Sequence, residues 1–126
     1  MATLSNFPSV FLRLRTILLE SSPGGFVGKD DPTDFRLYTV ETTDPKSGEW
    51  LGAVQIKKNY VSYHLISVYF YPDLLAGMSD GLKKRMQGKG CFNFKAEDEI
   101  LFAELAILTR RSWEKFQAEG WPRRTG

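Results

Sequence analysis

The chain has 126 residues and a mass of 14.4 kDa, long enough to bury a real core and too short for two domains. With 42% apolar, 13% aromatic and 25% charged residues it reads as an ordinary folded globule, which excludes a disordered chain. A net charge of +2 gives no ground for a nucleic-acid protein, and no apolar run approaches the roughly 20 residues of a membrane span.

The expected organisation is a single domain over residues 1–126. Residues 5–19 predict an amphipathic helix, because Phe7, Val10, Phe11, Leu14, Ile17 and Leu18 follow the three-to-four spacing of one apolar stripe. Ser5 or Asn6 would cap it, Pro8 suits only a first turn, and Ser21 to Gly25 stops it. Arg13 and Arg15 interrupt the apolar segment and no basic leader precedes it, so a secretory signal is not expected.

Residues 20–34 read mostly as loop, with Phe26-Val27 able to start a short edge strand. Phe35 to Glu41 alternates like a strand, and Thr42 to Gly48 reads as a turn. Trp50–Lys57 and Tyr60–Tyr69 then form two strand-like runs around Lys58-Asn59. A tight hairpin there pairs residues whose numbers sum to 117. One face then collects Ile56 with Val61, Val54 with Tyr63 and Gly52 with Leu65. The other collects Lys57 with Tyr60, Gln55 with Ser62 and Ala53 with His64, apolar against polar as a half-buried sheet requires.

Short helices are expected between about 73 and 86, the second capped by Ser79 and ending in Lys83, Lys84 and Arg85 before Gly88. Cys91 to Lys95 predicts a strand with Phe92 and Phe94 on one face. A long helix follows from about 99 to 119, capped by Asp98, with Leu101, Leu105, Leu108 and Trp113 facing the core. The fold class is therefore α+β: a two-layer domain with a mainly antiparallel sheet of four to five strands, spanning about 35–70 plus 91–95. The N- and C-terminal helices pack on one face of that sheet.

Three chemistries are open. The polar sheet face would gather Arg36, Tyr38, Gln55, Tyr60, Ser62, His64 and Asn93, mixing aromatic area with hydrogen-bond donors suited to a small anionic ligand or a protein partner. A second copy of the chain could cover that face as a homodimer. The acids Asp30, Asp31 and Asp34 could offer oxygen ligands to a metal ion, although calcium-loop spacing is absent. Cys91 could serve as a nucleophile, with His64, the sole histidine, as its only candidate base. A single cysteine excludes an internal disulfide and a thiolate zinc cluster, and a reducing, cytoplasmic setting is the expectation. No pattern names a cofactor.

Charge is segregated along the chain. From Lys57 to Lys95 seven cations face two acids, and from Glu20 to Asp44 six acids face two cations. Helix ends and solvated loops account for most of this, so nucleic-acid binding is not the favoured reading. Gly88-Lys89-Gly90 precedes a strand and so is not a P-loop, though its backbone could form a loose anion nest.

The block Lys57 to Ser62, Tyr71-Pro72-Asp73-Leu74-Leu75 and Lys83 to Phe94, with its Gly-Lys-Gly-Cys-Phe-Asn-Phe piece, resembles a bacterial YdhG-like domain-of-unknown-function family over about residues 50–120. The resemblance implies an α+β fold compared with that of frataxin, a bacterial cytoplasmic origin and, from some relatives, an iron-chaperone role. Frataxin-type iron binding relies on a carboxylate-rich first helix, whereas this one holds Arg13, Arg15 and only Glu20 near its end. No catalytic residue is carried over.

Overall fold

The computed structural model describes residues 7–38, 50–65, 68, 71–88 and 90–119. Helix α1 (Phe7–Glu20) leads into strands β1 (Phe26–Asp31), β2 (Asp34–Tyr38), β3 (Trp50–Ile56) and β4 (Val61–Leu65). A 3₁₀ turn (Pro72–Leu75), a one-turn helix α2 (Asp80–Lys83), strand β5 (Cys91–Phe94) and the long helix α3 (Glu99–Glu119) complete the chain. The five strands form one antiparallel sheet in chain order, β1-β2-β3-β4-β5. No helix among the described residues is long and apolar enough to cross a membrane.

Both long helices pack on one face of the sheet. Val10, Phe11, Leu14 and Leu18 of α1 share a core with Phe35, Leu37, Val54, Tyr63, Leu65, Phe92 and Phe94 of the strands. Helix α3 adds Phe102, Leu105, Leu108 and Trp113, while Leu101 is only half-buried. Leu101 packs against the edge of this core, and Phe102 takes the buried position and meets Phe94 edge-on, ring centroids 5.2 Å apart. Pro8 sits in the first turn of α1, where its missing N–H leaves no helix bond unmade.

The β3–β4 hairpin has the expected register: Gly52 faces Leu65, Ala53 faces His64, Val54 faces Tyr63, Gln55 faces Ser62 and Ile56 faces Val61. Lys57 N–H donates to Tyr60 C=O at 2.8 Å, closing the two-residue turn. Ser79 and Asp98 cap their helices, accepting from Leu82 N–H at 3.2 Å and Leu101 N–H at 3.1 Å. Ser79 also donates its hydroxyl to Glu104 at 2.5 Å, tying α2 to α3.

Three expectations need correction. The segment read as acidic loop is strand β1, joined to β2 by Pro32-Thr33, where Thr33 N–H donates to the Asp31 carboxylate at 3.2 Å. Its exposed, charged edge and the irregularity between Val27 and Lys29 guard against edge-to-edge pairing, so polarity here marks an edge strand and not a loop. The β4 strand stops at Leu65, and Val68 is already helical. The helix after Ser79 ends at Lys83 because Arg85 to Gln87 turn to pair with β5: Asn93 N–H donates to Arg85 C=O and Gln87 N–H to Cys91 C=O, both at 2.8 Å. Gly88, at φ 77°, makes that reversal. The expected cap at Ser5 or Asn6, the strand beyond Tyr38 and the Thr42–Gly48 turn lie outside the described residues.

Candidate functional site

Alternation along the strands places a second set of side chains on the sheet face opposite the helices. Because cross-strand partners share a face, the registers line them up in two transverse rows. One row runs Asp31, Asp34, Gln55, Ser62, Asn93. The other runs Lys29, Arg36, Ala53, His64, Cys91.

Hydrogen bonds join these rows into two clusters. On the β2 side, Arg36 donates twice to the Asp34 carboxylate, at 3.1 and 3.0 Å, and Gln55 Nε2 donates to it at 3.3 Å. Lys29 Nζ lies 3.4 Å from the same carboxylate. Burial pushes the Asp34 carboxyl up, but the bonds from Arg36 and Gln55 and the nearby Lys29 hold it below the ordinary carboxylate range. On the β4–β5 side, Ser62 Oγ is 2.8 Å from His64 Nε2 and 3.1 Å from Cys91 Sγ. The Cys91 thiol reaches Asn93 Oδ1 at 3.4 Å, and Asn93 Nδ2 donates to Gln87 Oε1 at 2.8 Å. The polar face thus extends one strand-width past β5, onto the chain that pairs with it.

His64 is half-buried, and burial first, then the positive charges of Lys57 and Arg36, lower its pKa below 6.5 against the opposing pull of Asp34. A neutral imidazole follows near pH 7, able to accept from Ser62 at Nε2. His64 Nε2 lies 4.0 Å from Cys91 Sγ, with the Ser62 hydroxyl bonded to both.

The structure brings Arg36, Gln55, Ser62, His64 and Asn93 onto one face; the hairpin register implied Gln55, Ser62 and His64, and Arg36 and Asn93 join them through the pairing of β2 and β5. Tyr38 shares that face by alternation but is 3% exposed, its ring pressed against the Cα of Gly28, where a Cβ would stand 2.2 Å from the ring. It supports the face and offers no area to a ligand. Ser62, 1% exposed, lies beneath its neighbours and acts through His64 and Cys91. Tyr60 sits at the end of the hairpin, in a cleft of about 210 Å³ shared with Lys84, Arg85, Gln87, Asn93 and Lys95.

The three acids do not converge. Asp30 pairs with core-facing Phe35, whereas Asp31 pairs with Asp34 on the polar face, so neighbours in sequence point to opposite sides of the sheet. Asp30 is held by Arg15 from α1, at 3.1 and 2.7 Å, while the Arg15 guanidinium covers the Phe35 ring at 4.6 Å. Among the described residues no group of three His, Cys, Asp or Glu side chains is placed to hold a metal ion.

Sequence reasoning missed Gln87 and the approach of Cys91 to His64. The first follows from the short reversal at Gly88 that pairs Arg85 to Gln87 with β5, the second from the register between β4 and β5, whose long connection carries no local signal for pairing. The chain has no match among protein-family models, curated proteins or solved structures.

Proposed function

We propose that this protein is a non-catalytic binding domain whose polar sheet face takes a small anionic ligand. The observation that carries this reading is a set of hydrogen-bonding side chains from two adjoining rows, half-buried Arg36, Gln55, His64 and Asn93 with Ser62 beneath them, laid across four adjacent strands. Rigid strands fix such groups more closely than loops do, and cations outweigh carboxylates around His64. A panel of anionic metabolites screened by thermal shift tests it. At least one compound should raise the Tm of the wild type and leave Gln55→Ala/His64→Ala unmoved. No such compound, or equal stabilisation of the variant, would refute the reading. So would a dimer in sedimentation whose dissociation constant those substitutions raise, because the face would then be a subunit interface.

A second reading, thiol chemistry at Cys91, has its own observation: the Ser62 hydroxyl bridges the thiol and His64 Nε2. Ser62 could relay the thiol proton to the neutral imidazole, leaving a thiolate nucleophile. Alkylation by iodoacetamide at pH 7 should then be fast in the folded protein and slowed at least tenfold by His64→Ala. Labelling that waits for denaturant rules it out.

A further inference from the structure

The cations at the β5 end of the sheet differ from those on α1, β1 and β2. Arg13, Arg15, Lys29 and Arg36 are each held by a carboxylate. Lys84, Arg85 and Lys95 enter no ion pair among the described residues, yet they line one cleft with Tyr60, Gln87 and Asn93. Two carboxylates, Glu97 and Asp98, border the neighbouring cleft that shares those three cations. Both are engaged elsewhere: Glu97 accepts from Arg13 at 3.0 Å and Asp98 caps α3. With Glu97 neutralised by Arg13, three cations against the single charge of Asp98 leave a local positive surplus, whose mutual repulsion an anion removes.

The backbone beneath them is anchored. Arg85 C=O accepts from Asn93 N–H, and Met86 bridges Phe92 across the same pairing. The Arg85 guanidinium and the Asn93 amide therefore start from fixed roots. A guanidinium with two flanking ammonium groups and an amide donor matches a tetrahedral oxyanion, and about 210 Å³ admits such a group and not a whole cofactor.

We infer that this cleft is an anion subsite for the phosphoryl group of a phosphorylated small molecule. This rests on the reading of the polar face as a ligand site, because Asn93 belongs to both the cleft and the row of Ser62 and Gln55. The uncharged part of the ligand lies over the face, and its phosphoryl group sits between Arg85 and Lys95.

Titration of the isotope-labelled protein with inorganic pyrophosphate at low ionic strength, followed by amide NMR, is the test. Saturable shifts should be confined to Lys84 to Gln87 and Asn93 to Lys95. Arg85→Gln/Lys95→Gln, two exposed positions whose replacement spares the core, should weaken binding at least tenfold, while Arg110→Gln, an exposed cation on α3 outside the cleft, leaves it within twofold. Absent or non-saturating shifts, or binding unchanged in the double variant, overturn the subsite and leave the face reading to the metabolite screen. A screen ligand that stabilises wild type and Arg85→Gln/Lys95→Gln equally would overturn the subsite while upholding the face. A short single-stranded oligonucleotide saturating the same amides at lower concentration than pyrophosphate would replace the small ligand with nucleic acid and also overturn it.

Discussion

Tyr63 and Thr109 join the sheet to helix α3 through a hydroxyl pair with no water to fall back on. Both are 0% exposed, their oxygens are 2.5 Å apart, and Thr109 Oγ1 donates its proton to Leu105 C=O at 2.8 Å. The Tyr63 hydroxyl is therefore the donor of the shared bond. Tyr63→Phe deletes that donor, keeps the ring and leaves the Thr109 donation intact, which costs about 1 kcal/mol. Thr109→Val keeps the shape but strands the Tyr63 hydroxyl in an apolar core, costing about 1–3 kcal/mol. The double variant replaces both partners with apolar groups and should be more stable than Thr109→Val alone. Urea unfolding at pH 7 measures all four proteins, with the slope unchanged if only stability moves. The pairing argument fails if Thr109→Val costs no more than Tyr63→Phe, or if the two costs simply add. Titration supplies an independent check. Burial raises the Tyr63 phenol pKa above its ordinary 10.0, so above pH 10.0 the unfolded chain gives up this proton while the folded protein retains it. The wild type's advantage over Tyr63→Phe, full below that pH, should shrink as pH climbs past it.

Four further outcomes follow from the sheet and its supports. Gly52→Ala would place a Cβ 2.5 Å from the His64 carbonyl oxygen and 3.2 Å from Leu18 Cδ1, forcing β3 and β4 apart; thermal melts should show a loss of about 1–3 kcal/mol. The single imidazole should titrate below 6.5 by NMR, and Lys57→Gln should move it upward by removing a cation that opposes its protonation. An unfolded chain takes up that proton near pH 6.5 and the folded one resists, so His64 stabilises the fold above pH 6.5 and the contribution is lost on acidification; His64→Gln should flatten stability against pH between 5 and 7. Arg15→Gln should return the Asp30 carboxyl, now held low chiefly by the Arg15 hydrogen bond, towards its ordinary value of 3.8, read by carbon NMR.

Helices α1 and α3, the central hairpin and its two faces were legible because their causes are local. A stripe at three-to-four spacing must find an apolar surface, and a two-residue turn at Lys58-Asn59 leaves one register that buries Val54, Tyr63 and Leu65 together. The same alternation places Gln55, Ser62 and His64 side by side. The acids of β1 misled because an exposed edge strand and a solvated loop share a polar composition; only pairing with β2 separates them.

Tertiary structure alone decided what lies beside β4. The chain between Leu65 and Cys91 turns through helices before it returns, and no periodicity within it encodes the step that sets Ser62 against Asn93 and His64 against Cys91. That register follows from burial of Phe92 and Phe94 against Tyr63, Val61 and Phe102, a packing condition satisfied across the whole core. From it follow the thiol's approach to the imidazole and, together with the reversal at Gly88 that carries Arg85 to Gln87 beside β5, the cleft where Lys84, Arg85 and Lys95 meet Tyr60. Local spacing determines which side chains share a strand face, because alternation is a property of the backbone; which strands lie side by side is settled only when the apolar face is buried as one.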